Sequence, residues 1–323
     1  MSTLADRGEG PVLSALAGNG LWLDVGTLVI HLRTDVPLLA SALCDVYRHF
    51  PFQPQGDWAD LHVNVRSHRR LLMPWRPQVE FICDGSRPFE PFPADTPLPM
   101  FEWGANWLIG MRLHHRLLLH AGVLARGDRA LVMPAVPGAG KSTLTAALAH
   151  SGWRLLSDEF GAIDMQTGEV WPLLKPPVLK NQSIGVIRDF APSAVLGRVY
   201  PATRKGDVAH VAPPADAVAA RHRPARPFAI VLPHWQRGAQ ARLEPVTPAL
   251  ACSALAYNAF NYRVCGLDGF RVVARLSREV PAWQLTYSDL PDAIQCLDAL
   301  FARTAGVADG AVGAFGSQPA PAR

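Results

Sequence analysis

The sequence predicts an α/β protein: a larger domain built around a phosphate-binding turn, preceded by a smaller α+β domain. Three observations carry this. A strand, a turn of small residues and a helix succeed one another over residues 129–150. A second apolar strand, residues 153–156, returns from that helix and ends on two adjacent acids, Asp158 and Glu159. Ahead of both, residues 21–110 carry strand and helix patterns but no catalytic constellation.

The elements follow in chain order. Residues 1–20 read as a loose leader. Residues 21–25 and 27–32 are two strands joined at Gly26. Asp35 is the N-cap of a helix over 35–47, with Pro37 near its first turn. Residues 61–66 alternate apolar and polar side chains, the pattern of a half-buried strand. Residues 79–83 form a strand ending at the turn Asp84-Gly85, and the Pro-rich stretch 87–99 is a connector. Residues 101–113 then form a helix with Trp103, Trp107 and Ile109 facing a core.

The larger domain runs from 111 to 303. Residues 117–120 and 123–124 open it, and residues 129–134 lead into the turn. Residues 142–150 form a helix ended by Ser151-Gly152. Residues 161–164 and 169–171 make a hairpin. Prolines hold 172–183 extended, with Lys175 and Lys180 either reaching an anionic substrate or lying on a solvated basic loop. Residues 199–214, with Arg204, Lys205 and His210, lack periodicity and form a flexible lid or a plain surface loop. Residues 227–232 are a buried strand, 248–260 and 270–276 are helices, and 283–287 is a strand. Ser288 caps a last helix through Leu300, and 304–323, rich in Ala, Gly and Pro, is a disordered tail.

Composition narrows the function classes. The chain has 323 residues, of which 49% are hydrophobic, and a formal net charge of +4. That is enough apolar material for a packed core and excludes general disorder. Charges of both signs are spread along the chain with no aromatic–basic interleaving, so nucleic acid is not an expected partner. The five cysteines show no C-x-x-C spacing, so neither a zinc site nor a disulfide framework is expected, and reduced thiols point to a cytoplasmic setting. Residues 1–10 lack the apolar core of a signal peptide, and no apolar run reaches the length of a membrane span, so no membrane partner is expected.

The turn from Ala135 to Thr143 carries the chemistry. It fits G-x-x-x-x-G-K-[ST], with Ala135 in the place of the first glycine. Small residues let the backbone curl until successive N–H groups point at phosphate oxygens. Pro137, Gly138, Ala139, Gly140, Lys141, Ser142 and Thr143 are therefore the candidate phosphate-binding residues. Lys141 supplies a cation for the terminal phosphates, Ser142 a hydroxyl for Mg²⁺, and the helix start its positive dipole end. The bland alternative is a glycine-rich turn that happens to hold a lysine; both flanks argue against it. Asp158 lies 17 residues past Lys141, room for one helix and one returning strand. Acids ending a buried strand beside a phosphate loop sit where ligands bind in open α/β sheets, although an ordinary acidic turn would read the same way.

Taken together these segments resemble a known family. His120-Ala-Gly-Val123, the loop ending Gly140-Lys141-Ser142, and Leu155-Leu-Ser-Asp158-Glu159 are similar in order and spacing to the catalytic domain of bacterial HPr kinase/phosphorylases. More closely, the chain resembles the group called HprK-related kinase A over roughly residues 20–302. The likeness rests on residues 134–143 and 153–158, on Leu179-Lys-Asn-Gln-Ser-Ile184, on Thr203-Arg-Lys-Gly206 with Ala209-His210, and on Asn258-Ala-Phe-Asn-Tyr262. It implies a P-loop nucleotide domain of the HPr kinase/phosphoenolpyruvate carboxykinase type, with ATP and Mg²⁺ as cofactors. It also implies phosphorylation of a hydroxyl, a serine by expectation, on a protein or peptide. On this resemblance residues 138–143 cradle the phosphates, Ser142 binds metal, Asp158 is the general base and His120 lies near the phosphates, either polarising the γ-phosphate or serving as a strand histidine bonded to a neighbour. Glu159 stands where the HPr enzymes have a second, metal-linked Asp.

The departures shape the expectation. The HPr enzymes carry Glu-[IV]-Arg-Gly-x-Gly after the paired acids, tied to phosphorolysis; here residues 178–183 read Val-Leu-Lys-Asn-Gln-Ser. Phosphorolysis is therefore not implied. No HPr-binding part is recognisable, so the acceptor is expected to be another protein or a small peptide, with room for a homo-oligomeric state. Two other readings compete. One is an ATP-binding scaffold or sensor without chemistry. The other is a small-molecule kinase or transport-type ATPase, which the absence of a Leu-Ser-Gly-Gly-Gln signature weakens.

Overall fold

A computed structural model describes residues 2–68, 75–136 and 138–308. The chain opens with α1 (Leu4–Arg7) and α2 (Glu9–Ala17). Thr3 and Asp6 cap α1 reciprocally, and Leu4, Val12 and Leu16 are fully buried. The expected loose leader is thus corrected: two of its apolar residues are spaced by four, and that stripe packs α2 onto the core.

The smaller domain continues with β1 (Leu21–Asp24), β2 (Val29–Thr34), α3 (Pro37–Val46), β3 (Leu61–His68), β4 (Gln78–Cys83), β5 (Phe92–Pro93) and α4 (Pro97–Arg112). Its strands form one sheet in the order β1-β2-β3-β4-β5, with only β2 and β3 parallel among these pairs. Asp35 does not cap α3. Val36 holds that position, and the Asp35 carboxylate accepts from the Ser67 N–H. In α4, Phe101, Ala105, Leu108 and Ile109 are buried, whereas Trp103 and Trp107 are 39% and 36% exposed. The helical period gives the core face to the first group. The two indoles cover Phe89, with ring centroids 4.3 and 5.1 Å away.

The larger domain comprises β6 (Arg116–Arg126), β7 (Arg129–Pro134), α5 (Lys141–Ala149), β8 (Arg154–Ser157), β9 (Phe160–Asp164), β10 (Val170–Trp171), β11 (Val178–Lys180), α6 (Gln182–Phe190), β12 (Tyr200–Thr203), β13 (Gly206–His210), α7 (Ala215–Ala219), β14 (Arg226–Trp235), β15 (Arg242–Val246), α8 (Pro248–Asn258), α9 (Tyr262–Glu279), β16 (Ala282–Tyr287) and α10 (Leu290–Ala308). The chain is therefore of mixed α/β class. An eight-stranded sheet runs β10-β9-β6-β7-β14-β16-β15, with β8 also paired to β6. Parallel pairing is confined to β7, β14 and β16 within that sheet. A third sheet, β11-β13-β12, occupies much of the stretch expected to be an aperiodic lid or loop. That expectation is corrected: residues 200–210 form a hairpin locked by Thr203 and Gly206 and joined to β11. Ser288 is not a cap but accepts from the Gly238 N–H. The last helix extends to Ala308, past the expected start of the tail, and residues 309–323 lie outside the described residues.

The smaller and larger parts share one hydrophobic core and are stitched together. Gly26 bridges Leu173, Thr27 donates its hydroxyl to the Pro172 carbonyl at 2.7 Å, and Asp24 accepts from Arg221 and His222 at 3.0 and 2.8 Å. Among the described residues no helix is long and apolar enough to cross a membrane.

Candidate functional site

The sheet register decides where the site forms. β6 is antiparallel to both β7 and β8, with Ala121 opposite Pro134 and Val123 opposite Ser157. The carboxyl ends of β7 and β8 therefore emerge at the same edge, one on each side of β6. His120, paired with Phe160, lies on β6 between them.

At that edge β7 leads into the turn and α5. Gly138 and Gly140 have φ of 90° and 89°, the left-handed backbone that side chains resist, and Gly140 is the N-cap of α5. A Cβ on Gly140 would come within 2.5 Å of the Tyr287 hydroxyl, whereas nothing lies within 4 Å of one on Gly138, so the curl there is open. The turn is seated from behind. Trp235 N–H donates to the Ala139 carbonyl and the Tyr287 hydroxyl to that of Gly140, both at 3.3 Å. Ala135 is buried at the end of β7 and its φ is not positive, which is why alanine serves where the motif has glycine. Ser142 and Thr143 occupy the first turn of α5, half-buried. Pro137 lies outside the described residues.

Beyond β8, Ser157 Oγ accepts from the Phe160 N–H at 3.0 Å and so shapes the turn carrying the two acids. Lys141 Nζ lies 3.2 Å from Asp158 Oδ1 and also donates to the Asp158 carbonyl. The other carboxylate oxygen accepts from Val178 N–H at 3.4 Å. Lys141 and Asp158 are 7% and 5% exposed, so each charge depends on the other for compensation. His120 Nε2 lies 4.0 Å from Glu159 Oε1. Burial, reinforced by the Lys141 ammonium, holds the His120 imidazole below its ordinary pKa, against the opposing pull of Glu159 and Asp158. Burial and Lys205 likewise lower the Lys180 ammonium, with Glu159 opposing.

The smaller domain reaches this site, which the sequence does not signal. Lys175 is not on a solvated loop: it is 6% exposed and pairs with Glu102 Oε2 of α4 at 2.9 Å. Its ammonium also donates to Asn106 Oδ1 at 2.6 Å. Glu102, Asn106 and Lys175 line a narrow cavity together with Asp158, Glu159 and Val178. The one legible hint is that Glu102 and Asn106 are four apart and fall on the buried side of an apolar helix. His210 is 1% exposed, and burial pushes its imidazole down to about 4. It is therefore a neutral interior histidine. Asn261, from the segment 258–262, is structural: it accepts from Leu118 N–H and donates to the carbonyls of Leu113 and Arg116.

The site thus holds an open curl of backbone at a helix start, a buried lysine–carboxylate pair, a histidine and a further acid at one sheet edge. Such a set can bind a phosphate chain and place a carboxylate beside its far end. No family model and no curated protein matches this sequence.

Proposed function

We propose that the protein is an ATP- and Mg²⁺-dependent kinase that phosphorylates a hydroxyl, by expectation of serine, on a protein or small peptide. The observation that carries this reading is the 3.2 Å approach of Asp158 to Lys141 across the edge of one sheet. The order of motifs resembles the HPr kinase group, and the larger domain is read as a P-loop nucleotide domain of that type. A cytoplasmic setting fits the five free cysteines.

The residues present suit the nucleotide and its cation. The curl at Gly138 leaves open the space a side chain would fill, and the first N–H groups of α5, like those of any α-helix, have no acceptor within the helix. Ser142, Asp158 and Glu159 offer oxygen donors, which Mg²⁺ prefers. Among the described residues no three His, Cys, Asp or Glu side chains form a self-sufficient metal site. Mg²⁺ beside a nucleotide is commonly held by one or two carboxylates plus substrate phosphates. Bound with ATP, the ion would neutralise charge on the β- and γ-phosphates as the phosphoryl group leaves.

The chain's own residues do the rest. The loop N–H groups and Lys141 hold the phosphates and fix the line of attack. Asp158, released by Lys141, accepts the acceptor hydroxyl proton at its carboxylate. Neutral His120 donates or accepts a hydrogen bond at the phosphate edge without adding charge. Positioning and fixed electrostatics supply most of the rate in this reaction class.

The closed Lys141–Asp158 pair favours one other reading, an ATP sensor or scaffold that passes a conformational signal without chemistry. One experiment separates the two. The protein is incubated with labelled ATP and the products of adjacent genes, and phosphate is located by mass spectrometry. Transfer that disappears in Asp158→Asn while nucleotide binding persists supports the kinase. Nucleotide binding without transfer to any acceptor supports the sensor.

A further inference from the structure

The smaller domain reaches the Asp158 carboxylate through a short, stiff path. Tyr47, the C-cap of α3, donates its hydroxyl to Glu102 Oε1 at 2.5 Å. Glu102 Oε2 pairs with Lys175, which is also held by Asn106. Pro176 and Pro177 follow; each fixes φ and lacks an N–H. The first donor after Lys175 is therefore Val178 N–H, and it goes to Asp158 Oδ2 at 3.4 Å. The strap is pinned at both ends, with Leu174 N–H on the Val25 carbonyl at 2.8 Å and Val211 N–H on that of Pro177 at 3.0 Å.

We propose that this path is a positioning relay: the smaller domain, acting from Tyr47 through Glu102 and Lys175, fixes Val178 and so aims the Asp158 carboxylate. The proposal rests on the kinase reading for its consequence, though not for its geometry. Two features argue for it. A buried ion pair is a poor source of net stability, because desolvating two charges offsets their attraction, so an apolar pair would hold the domains together as well. What the charged pair adds is a single defined geometry at the junction. The relay also matters most when the site is in use. Once Lys141 turns to the phosphates, the Val178 N–H is the remaining described contact on the carboxylate. Lys175 is thus a positioning residue, acting through the strap and not on the reacting atoms.

The test uses the whole chain. Lys175→Met alone strands the Glu102 charge and can fail to fold, so the deciding variant is Lys175→Met with Glu102→Gln, which neutralises both partners at similar volume. Its unfolding midpoint should stay close to that of the original protein. Hydrogen exchange at the Val178 amide should accelerate, and kcat for phosphoryl transfer from ATP should fall roughly 10- to 100-fold with KM for ATP unchanged. A folded double variant with unaltered kcat and unaltered Val178 exchange overturns the relay. If the original protein transfers no phosphate to any acceptor or to water, the kinase reading fails, and Val178 exchange alone decides the relay: acceleration supports it, no change overturns it.

Discussion

Lys141 and Asp158 form a buried ion pair, with side chains 8% and 5% exposed. On the proposed function a phosphate ligand takes that lysine, so nucleotide binding would break the pair. Asp158→Asn removes the competitor. Binding of a non-hydrolysable ATP analogue should therefore tighten, while transfer to a hydroxyl falls by about 10²- to 10⁴-fold, the usual contribution of a general base. Titration calorimetry and a transfer assay read the two effects separately. Weaker binding in Asp158→Asn would mean that the carboxylate serves the nucleotide's cation more than it restrains Lys141.

The converse substitution acts on stability. Lys141→Met leaves the Asp158 carboxylate buried with the Val178 N–H as its remaining described partner. Removing one member of a buried pair costs about 3 kcal/mol or more, because the surviving charge is uncompensated. Urea unfolding should show that loss. Adding Asp158→Asn should recover most of it, since a neutral amide needs no counter-ion. A recovered double variant that still binds no nucleotide would assign the binding role to Lys141 itself.

Stability should also depend on pH through His210. Burial holds its imidazole at about 4, against an ordinary value of 6.5. Between those values the unfolded chain carries the proton and the folded chain does not. Stability from this group is therefore complete above about pH 6.5 and is lost as pH falls toward 4, for a total of about 3 kcal/mol. His120 and His150, also lowered by burial, act in the same direction. His210→Gln should flatten the decline in the urea midpoint between pH 7 and 4.5, and an unchanged slope would show that other groups carry it.

That the glycine turn, Lys141 and the two acids lie together is legible in the sequence because the connections between them are short. β7, α5 and β8 follow one another directly in the chain, so the start of α5 and the end of β8 are brought together by short connections. The opposite wall is illegible for the converse reason: 73 residues separate Glu102 from Lys175, and no periodicity links a helix glutamate to a lysine among prolines. Trp103 and Trp107 mislead because size suggests core, whereas helix phase assigns the core to Phe101, Ala105 and Leu108. The hairpin at 200–210 hides because its short strands are half polar and its partner β11 lies more than twenty residues upstream. The helices over Leu4–Arg7 and Glu9–Ala17 are hidden because their signals, the Thr3–Asp6 cap and the Val12, Leu16 spacing, are weaker than those of the glycines around them.

One glycine ties the sheet to the loop and can be tested by itself. A Cβ on Gly122 would lie 2.2 Å from Thr145 Oγ1 on α5, far inside contact distance. Gly122 thus lets the loop helix sit directly on β6, which fixes how far Lys141 stands from His120 and Asp158. Gly122→Ala should push α5 away, cost about 1–3 kcal/mol through overpacking, and weaken nucleotide binding. The clash is with the hydroxyl; the Thr145 Cβ is 3.4 Å away and the flexible Met133 methyl 3.3 Å. Thr145→Ala removes that hydroxyl, which is buried and has no hydrogen-bond partner among the described residues. The pair Gly122→Ala with Thr145→Ala should therefore regain both stability and binding. If the double variant melts as low as Gly122→Ala alone, contact between α5 and β6 is not what seats the phosphate turn.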